Sequence, residues 1–265
     1  MAVSPTANDD ACESDADRTG MSPDLLAALA AHPQEMATTI AALHRRVTDH
    51  DGLLDLMQLV AVEAVRRVDG VRWAGVTAQF DSVPFTIAHS HARVLIVDEG
   101  QYRTHDGPCL RALRIAEPVF MTLSEIQSTW PRLGDAARDN GVLSVLAVPI
   151  IARGVSVAVL NLYSDTTDAL LDVDADVVLV LTEYLRRATL DFVAAQPWDN
   201  AGVRLRQALY VRSVIDQATG VLMARHALDY VDAVSVLHAQ AHRRGRSPEH
   251  HSALLIARPP APPHR

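Results

Sequence analysis

Hydrophobic and polar positions repeat with two different periods along this chain, and the changes of period predict its secondary structure. A helical pattern covers about residues 34–68, in which Leu53, Met57 and Val60 share one face. The pattern then changes to that of a strand over residues 71–80, which are rich in β-branched and aromatic side chains. A helix followed by a strand opens the structured part of the chain.

Shorter patterns continue in the same way through the middle of the chain. Further strands are predicted at 85–88, 94–97, 118–122, 144–151 and 155–163. Further helices are predicted at 22–31, 107–115, 130–140 and 174–195. Arg153 and Gly154 separate the last two strands and predict a hairpin turn there. This order predicts a mostly antiparallel sheet with helices between its strands.

Residues 201–257 carry only helical patterns. Helices are predicted at 201–226, at 230–243 with Asp229 as N-cap, and at 249–257. Together with the preceding sheet, they give an α+β fold followed by a small all-α domain. We expect a sensor-type domain at 35–195 and a three-helix domain at 203–257.

The most regular pattern lies in the first of these C-terminal helices, whose residues 208–224 read ALYVRSVIDQATGVLMA. Apolar residues recur there at steps of three and four, at Ala208, Val211, Ile215, Ala218 and Leu222. Polar residues separate them, so one helix face is apolar. Such a seam predicts helix pairing, either in a homodimer or within one subunit.

The two ends of the chain read differently from its body. Residues 1–20 are acidic and poor in large apolar side chains, which predicts a disordered tail. Residues 258–265 form a proline-rich tail that cannot continue a helix. The first 20 residues lack the apolar core of a signal peptide, and no apolar run approaches the length of a membrane span. We therefore expect a cytoplasmic protein without a membrane partner.

Charge is distributed unevenly along the chain. Residues 201–265 contain nine arginines and four acidic residues, a net charge of +5. The first 200 residues hold the other 15 basic and 28 acidic side chains, a net charge of −13. A basic C-terminal segment on an acidic body favours binding of a polyanion by that segment. The alternative is that small C-terminal helices are often mildly basic.

Three segments in the middle of the chain read DEGQYRTHDGPCLRAL (98–113), WPRLGDAARDNGVLSVLAVPI (130–150) and AVLNLYS (158–164). In order and spacing they resemble the GAF family, of the kind joined to ANTAR modules in actinobacteria. The resemblance implies a sheet of about six strands with helices on one face. It also implies a pocket closed by the segment between the middle strands. GAF domains bind varied small molecules or simply dimerise, so a small-molecule ligand of unknown identity is implied.

Candidate sensor-pocket residues are Cys109, Tyr102 and His105. Cys109 lies at a predicted helix start, where a thiol's pKa falls and a redox or ligand-attachment role is conceivable. The alternative is a small buried hydrophobic residue that locks the helix to the sheet. His89 and His91 are a poor basis for a metal site because no cysteine or carboxylate cluster accompanies them. We expect no metal and no cofactor, and we interpret Asp98 as a loop residue.

The C-terminal stretch ALYVRSVIDQATGVLMARHALDYVDAVSVLHAQA resembles the ANTAR family, a three-helix RNA-binding module of transcription antitermination. The resemblance covers about residues 203–257. It implies capture of paired RNA stem-loops, which prevents a terminator hairpin from forming. Candidate RNA contacts are Arg212, Arg225, Arg243, Arg244, Arg246 and Tyr210.

This chain departs from the ANTAR pattern at two places. Thr219 stands where the family usually has a lysine. Gly245, Arg246, Ser247 and Pro248 stand where the family reads close to N-R-K-L, and only Arg246 agrees. We therefore expect an atypical third helix, although Pro248 is suited to a helix start.

Three functional hypotheses follow. The first is a one-component regulator in which a GAF sensor controls an RNA-binding ANTAR output, as a homodimer. The second is a dimeric sensor or interaction protein whose degenerate ANTAR module no longer binds RNA. The third is a redox enzyme that uses Cys109. No phosphate-binding loop, dinucleotide-binding, zinc-protease or serine-hydrolase motif occurs in the sequence, so we predict a protein that is not an enzyme.

Overall fold

The structure of this protein, a computed structural model, describes residues 49–80, 83–195 and 201–257 together with positions 27, 30, 43 and 47. The predictions for the two tails and for most of the helix at 22–31 lie outside those residues. The chain divides into two compact units, Met1–Ala195 and Gln196–Arg265.

The first unit has the order of helices and strands that the sequence predicts, with two exceptions: residues 92–104 form a helix and not a strand, and residues 123–129 form a helix that was not predicted. Its helices are α1 (His50–Arg67), α2 (Ala92–Thr104), α3 (Pro108–Ile115), α4 (Leu123–Thr129), α5 (Pro131–Asp139) and α6 (Ala175–Ala195). Its strands are β1 (Trp73–Phe80), β2 (Val83–His89), β3 (Val119–Thr122), β4 (Ser144–Ala152) and β5 (Val155–Ser164).

The strands form one antiparallel sheet in the order β2-β1-β5-β4-β3. The β4–β5 hairpin turns at Arg153 and Gly154, whose φ angles of 52° and 77° suit a tight hairpin turn. The resemblance implied about six strands, whereas the described residues form five. The fold class is α+β with an antiparallel sheet, as predicted.

Both faces of the sheet are covered by helices, and not one face as the resemblance implied. Gly75 and Thr77 of β1 face α2, where a Cβ atom on Gly75 would lie 2.6 Å from Val94. The alternate residues Ala74 and Val76 are fully buried on the opposite face, against which α1 and α6 pack. Because side chains alternate along a strand, the two helical layers contact different residues of β1.

Helix α1 confirms the apolar face that the sequence predicts. Leu53, Met57 and Val60 are fully buried. The side chain of Asp49 caps the helix by accepting a hydrogen bond of 2.8 Å from the backbone N–H of Gly52.

The second unit consists of three helices in its described residues: α7 (Ala201–His226), α8 (Tyr230–Arg243) and α9 (Pro248–Ile256). Asp229 caps α8 as predicted, since its side chain accepts a 2.8 Å hydrogen bond from the N–H of Asp232. The core of the unit is formed by Ala218, Leu222, Ala233, Leu237 and Leu255. All three helices contribute to it, so α9 is an integral part of the unit.

Candidate sensor pocket and nucleic-acid interface

The buried polar side chains of the first unit gather between the sheet and helix α2. The strand predicted at 94–97 and the loop position predicted for Asp98 are both wrong, because residues 92–104 form α2. Val94, Val97, Asp98 and Gln101 are buried along one face of this helix. Their spacing is the core spacing of an amphipathic helix, a signal that was present in the sequence.

Asp98 is fully buried and accepts hydrogen bonds from three side chains. The hydroxyl of Tyr163 donates to one carboxylate oxygen, Gln101 donates to the same oxygen at 3.4 Å, and Thr86 donates to the other at 2.7 Å. Burial raises the pKa of Asp98 to about 6, while the three donors act in the opposite direction. Asp98 therefore holds a proton at a higher pH than an exposed aspartate does.

Four hydroxyl and amide groups extend this cluster across the sheet. Asn161 donates to Thr77 at 3.0 Å, Thr77 lies 3.0 Å from the hydroxyl of Tyr102, and that hydroxyl lies 2.8 Å from Thr86. Thr86 gives its only proton to Asp98. The proton of Tyr102 therefore points to Thr86 and the proton of Thr77 points to Tyr102. A single directed chain of hydrogen bonds runs from Asn161 to Asp98.

Cys109 also belongs to this cluster, as the second residue of α3. Its backbone N–H donates to Gln101 at 2.8 Å, and Asn161 donates to its sulfur at 3.4 Å. Gly107 permits this packing, because a Cβ atom there would lie 2.5 Å from Oε1 of the Gln101 side chain. Burial, with the Asp98 carboxylate as a second cause, raises the pKa of the Cys109 thiol to about 12. The helix-start position does not lower this pKa, because burial outweighs the helix terminus. The alternative interpretation of Cys109, a small buried residue between helix and sheet, agrees with the structure.

The structure brings together two of the three candidate sensor-pocket residues. Tyr102 and Cys109 share the neighbour Thr77, and burial raises the pKa of Tyr102 above its usual range. His105 does not join them, since it is exposed in a left-handed conformation (φ 53°) at the end of α2. The residues that sequence reasoning missed are Thr77, Thr86, Asn161 and Tyr163, which lie on three different strands.

His89 and His91 do not share a strand face. His89 ends β2, whereas the ring of His91 caps α2 by accepting from the N–H of Arg93 at 3.2 Å. Burial, and then the neighbouring His91, lowers the pKa of His89. Within the described ranges, no group of three or more histidine, cysteine or carboxylate side chains is arranged to hold a metal ion.

The candidate RNA contacts lie on α7, at the end of α8 and on the turn between α8 and α9. Tyr210, Arg225, Arg243, Arg244 and Arg246 are exposed, and Arg212 is half-buried. The guanidinium of Arg244 contacts Gln240 at 3.4 Å and the buried His251 at 3.3 Å. Arg244 thus helps to hold α9 against α8, while the four other exposed side chains present their polar groups to solvent.

The predicted seam on α7 divides into two parts. Ala218 and Leu222 are buried in the core of their own unit, so they are covered within one subunit. Ala208, Val211 and Ile215 are only half-buried. Pairing with a second subunit therefore stays a prediction for the first half of the seam.

The departures from the ANTAR pattern are accommodated without loss of the third helix. Ser247 caps α9 through a 3.2 Å hydrogen bond from the N–H of His250, and Pro248 occupies its first turn as expected. Thr219 is fully buried, and its hydroxyl donates to the carbonyl of Ile215 at 2.9 Å. A lysine at this position would bring an ammonium group into the core.

Comparisons with protein families agree with this architecture. The GAF domain model matches residues 50–188, and the ANTAR domain model matches residues 203–256. The chain belongs to the GAF domain family and carries an ANTAR domain after the GAF domain. Both are regulatory domains, and ANTAR domains bind RNA. The protein is thus a signal-regulated ANTAR regulator.

The solved structures that resemble this chain include GAF domains. A GAF domain/HD domain protein from Geobacter sulfurreducens is 18% identical over 56% of this chain and 95% of its own, with a TM-score of 0.42. The GAF domain region of a putative membrane protein from Geobacter sulfurreducens PCA is 15% identical over 52% of this chain and 91% of its own, with a TM-score of 0.41. Type II free methionine-R-sulfoxide reductase from Thermoplasma acidophilum is 14% identical over 54% of this chain and 94% of its own, with a TM-score of 0.39. Similarity at this level carries no conclusion about ligand or activity.

A search of curated proteins found no match to this chain. Among the helices of the described residues, none combines the length and the apolar character needed to cross a membrane.

Proposed function

We propose that this protein is a one-component regulator that promotes transcription antitermination. Its ANTAR domain binds tandem RNA stem-loops in nascent transcripts, and its GAF domain controls that binding in response to a signal. The protein acts as a homodimer in the cytoplasm, without a catalytic step. A small molecule of unknown identity is the candidate signal.

The observation that carries this proposal is the ANTAR domain with a basic surface. The family match covers 203–256, and Arg225, Arg243 and Arg246 are exposed within it. The same segment of the chain holds the net positive charge, whereas the rest is acidic. Arginine side chains bind phosphates in a planar, two-pronged geometry, so this surface is suited to a folded RNA.

The mechanism follows from competition between two RNA folds. A stem-loop that is held by the ANTAR domain sequesters bases that the terminator hairpin needs. Polymerase then continues through the terminator. Because α6 ends at Ala195 and α7 begins at Ala201, the sensor helix has a short covalent connection to the output helix. A signal-dependent change in that helix is the proposed input to RNA binding.

The test is a gel-shift salt series with the full chain and an RNA that contains two tandem stem-loops with hexanucleotide loops. We expect tight binding that persists at moderate salt. The Arg225→Ala/Arg246→Ala double variant should bind more weakly, and the slope of log affinity against log salt should decrease by about 2, or about 1 per lost phosphate contact. Arg132→Ala, an exposed arginine in α5 of the first unit, is the matched control and should bind as wild type does.

Two outcomes would reject this function. Weak binding that disappears steeply with salt and is equal for all RNAs would indicate nonspecific charge attraction. It would favour the second hypothesis, a dimeric GAF protein whose ANTAR module has lost its RNA role. Tight binding without read-through in a transcription assay would leave an RNA-binding protein and reject antitermination.

A further inference from the structure

A groove of about 540 Å³ lies on the second unit, beside α8 and the turn that precedes α9. The core face of α8 carries Ala233, Leu237 and Ala241. His238 and His242 occupy the neighbouring positions one turn apart, and both are exposed. The two imidazoles therefore lie on the same edge of the helix, next to its buried face.

The turn at 245–248, where the chain departs from the ANTAR pattern, forms the other wall of the groove. Gly245 adopts a positive φ of 61°, and its N–H donates to the carbonyl of His242 at 3.0 Å. The N–H of Arg246 donates to the carbonyl of Ala241, also at 3.0 Å. These bonds tie the turn back to the end of α8, so that Arg246 and Pro248 line the same groove as His242.

The lining residues divide into two chemical kinds. Ala239, Ala241 and Pro248 supply apolar atoms, whereas His238, His242, Arg243 and Arg246 supply planar or cationic groups. Within the described part of the chain, no carboxylate oxygen lies within 4.0 Å of the guanidinium of Arg243 or Arg246. A ligand that combines an apolar planar face with a negative charge matches this surface. The volume lies within the range of small-ligand sites, about 300–1,000 Å³.

We propose that this groove holds one unstacked nucleotide of an RNA loop. Arg243 and Arg246 bind its phosphate, and its base packs against the imidazoles of His238 and His242 and the ring of Pro248. The proposal rests on the proposed RNA-binding function and assigns a subsite within it. Bases of RNA loops are free to leave the stack, and histidine is among the side chains on which they stack.

A structural role explains only part of the same residues. His242 and Arg243 lie in the last turn of α8, where positive charge stabilises the helix dipole. That role does not account for His238, one turn earlier, or for Arg246, which lies beyond the helix. It also predicts a loss of stability on substitution, whereas a nucleotide site predicts a loss of RNA affinity at unchanged stability.

The experiment measures RNA affinity of the full chain by fluorescence anisotropy. The probes are the tandem stem-loop RNA and the same RNA with abasic sites in its loops, which keeps every phosphate. Base stacking contributes about 1–3 kcal/mol per base, so we expect wild type to bind the abasic RNA about 5- to 150-fold more weakly. The His238→Ala/His242→Ala variant should bind the intact RNA more weakly than wild type does, by a similar factor. Its affinity for the abasic RNA should be close to the wild-type affinity for that RNA. His226→Ala, an exposed histidine at the end of α7 and outside the groove, should match wild type on both.

The outcomes separate this subsite from the function on which it rests. Equal wild-type affinity for the two RNAs would overturn the subsite and leave RNA binding intact. If the double variant lost affinity for both RNAs by the same factor, the histidines would act through charge or folding. That result would also overturn the subsite. No wild-type binding to either RNA would reject the proposed function and the subsite with it.

A measurement on the wild-type protein keeps the test decisive if the double variant does not fold, which thermal unfolding would reveal. A 4-thiouridine placed in the loop should crosslink to the segment 238–248 on irradiation, and one placed in the stem should not. Crosslinks from the loop to other segments alone would overturn the proposal.

Discussion

The phenol of Tyr163 on β5 donates a hydrogen bond to the carboxylate of Asp98 on α2, across 65 residues of sequence. Both side chains are fully buried. The bond joins the sheet to the helix, and it meets at the Asp98 carboxylate the chain of hydrogen bonds that runs from Asn161 through Thr77, Tyr102 and Thr86. A buried carboxylate therefore sets the orientation of the hydroxyl groups around it, and its protonation state becomes a property of the whole cluster.

Asp98 should make the stability of the first unit depend on pH. Its folded pKa of about 6 lies above the ordinary value of 3.8, so the folded state binds the proton more tightly. The resulting stabilisation is complete below about pH 4 and is lost as pH rises through about 6. Asp98→Asn cannot ionise. Relative to wild type, its free energy of unfolding should therefore rise by about 2 kcal/mol between pH 4 and pH 7.

Urea unfolding followed by tryptophan fluorescence measures this difference at each pH. Asp172→Asn, which removes an exposed carboxylate in a loop, is the matched control, and it should show a much smaller change with pH. A constant difference between Asp98→Asn and wild type across this range would contradict the prediction. Asp98 would then have the same pKa in the folded and unfolded states.

Cys109 should be unreactive in the folded protein. Its side chain is fully buried, and its raised pKa of about 12 leaves almost no thiolate at neutral pH. In a Cys12→Ser background, where Cys109 is the remaining cysteine, a thiol reagent at pH 7 should label the native protein very slowly. The same protein should react at once in denaturant. Rapid native labelling would instead revive the redox hypothesis.

The helices and strands that have a clear local pattern could be predicted from the sequence. The β4–β5 hairpin followed from its two apolar runs around Arg153-Gly154, and α8 followed from Asp229 and the apolar spacing after it. The stretch 94–97 was assigned wrongly because four consecutive apolar residues are compatible with a strand and with a helix equally well. The length of the segment decides between them, and the positions of Asp98 and Gln101 extend the helical spacing.

The polar cluster was not predictable in the same way. Its members lie on β1, β2, β5, α2 and α3, and no local signal connects Thr77 with Thr86 or Asn161. Their proximity depends on the strand order, in which β1 pairs with both β2 and β5. The groove beside α8 could not be predicted either, because its second wall is formed by a turn whose sequence departs from the ANTAR pattern. His238 and His242 show only helical spacing until that turn is placed beside them.

Leu222 should be a determinant of the second unit's stability. It is almost fully buried in the core shared by α7, α8 and α9. Leu222→Ala removes buried methyl groups and leaves a cavity, so we expect a loss of about 2–5 kcal/mol. Thermal unfolding followed by far-UV circular dichroism measures the effect. Leu254→Ala on α9, where the side chain is 38% exposed, is the control and should cost far less. Equal effects of the two changes would contradict the placement of Leu222 in the core.

The half-buried part of the α7 seam should be where two subunits pair. Val211 lies on it, while Ala218 and Leu222 are already covered within their own unit. A carboxylate at the centre of an apolar helix pair is costly to desolvate, so Val211→Asp should convert a dimer into a monomer. Ser213→Asp introduces the same charge at an exposed position of the same helix, and should leave the dimer intact.

Sedimentation equilibrium distinguishes the two states, since the chain mass is 28.8 kDa and a dimer has twice that mass. We expect the dimer for wild type and for Ser213→Asp, and the monomer for Val211→Asp. A wild-type monomer would remove the homodimer from the proposed function. A Val211→Asp dimer would instead move the pairing surface away from α7, because a buried unpaired carboxylate is incompatible with a tightly packed seam.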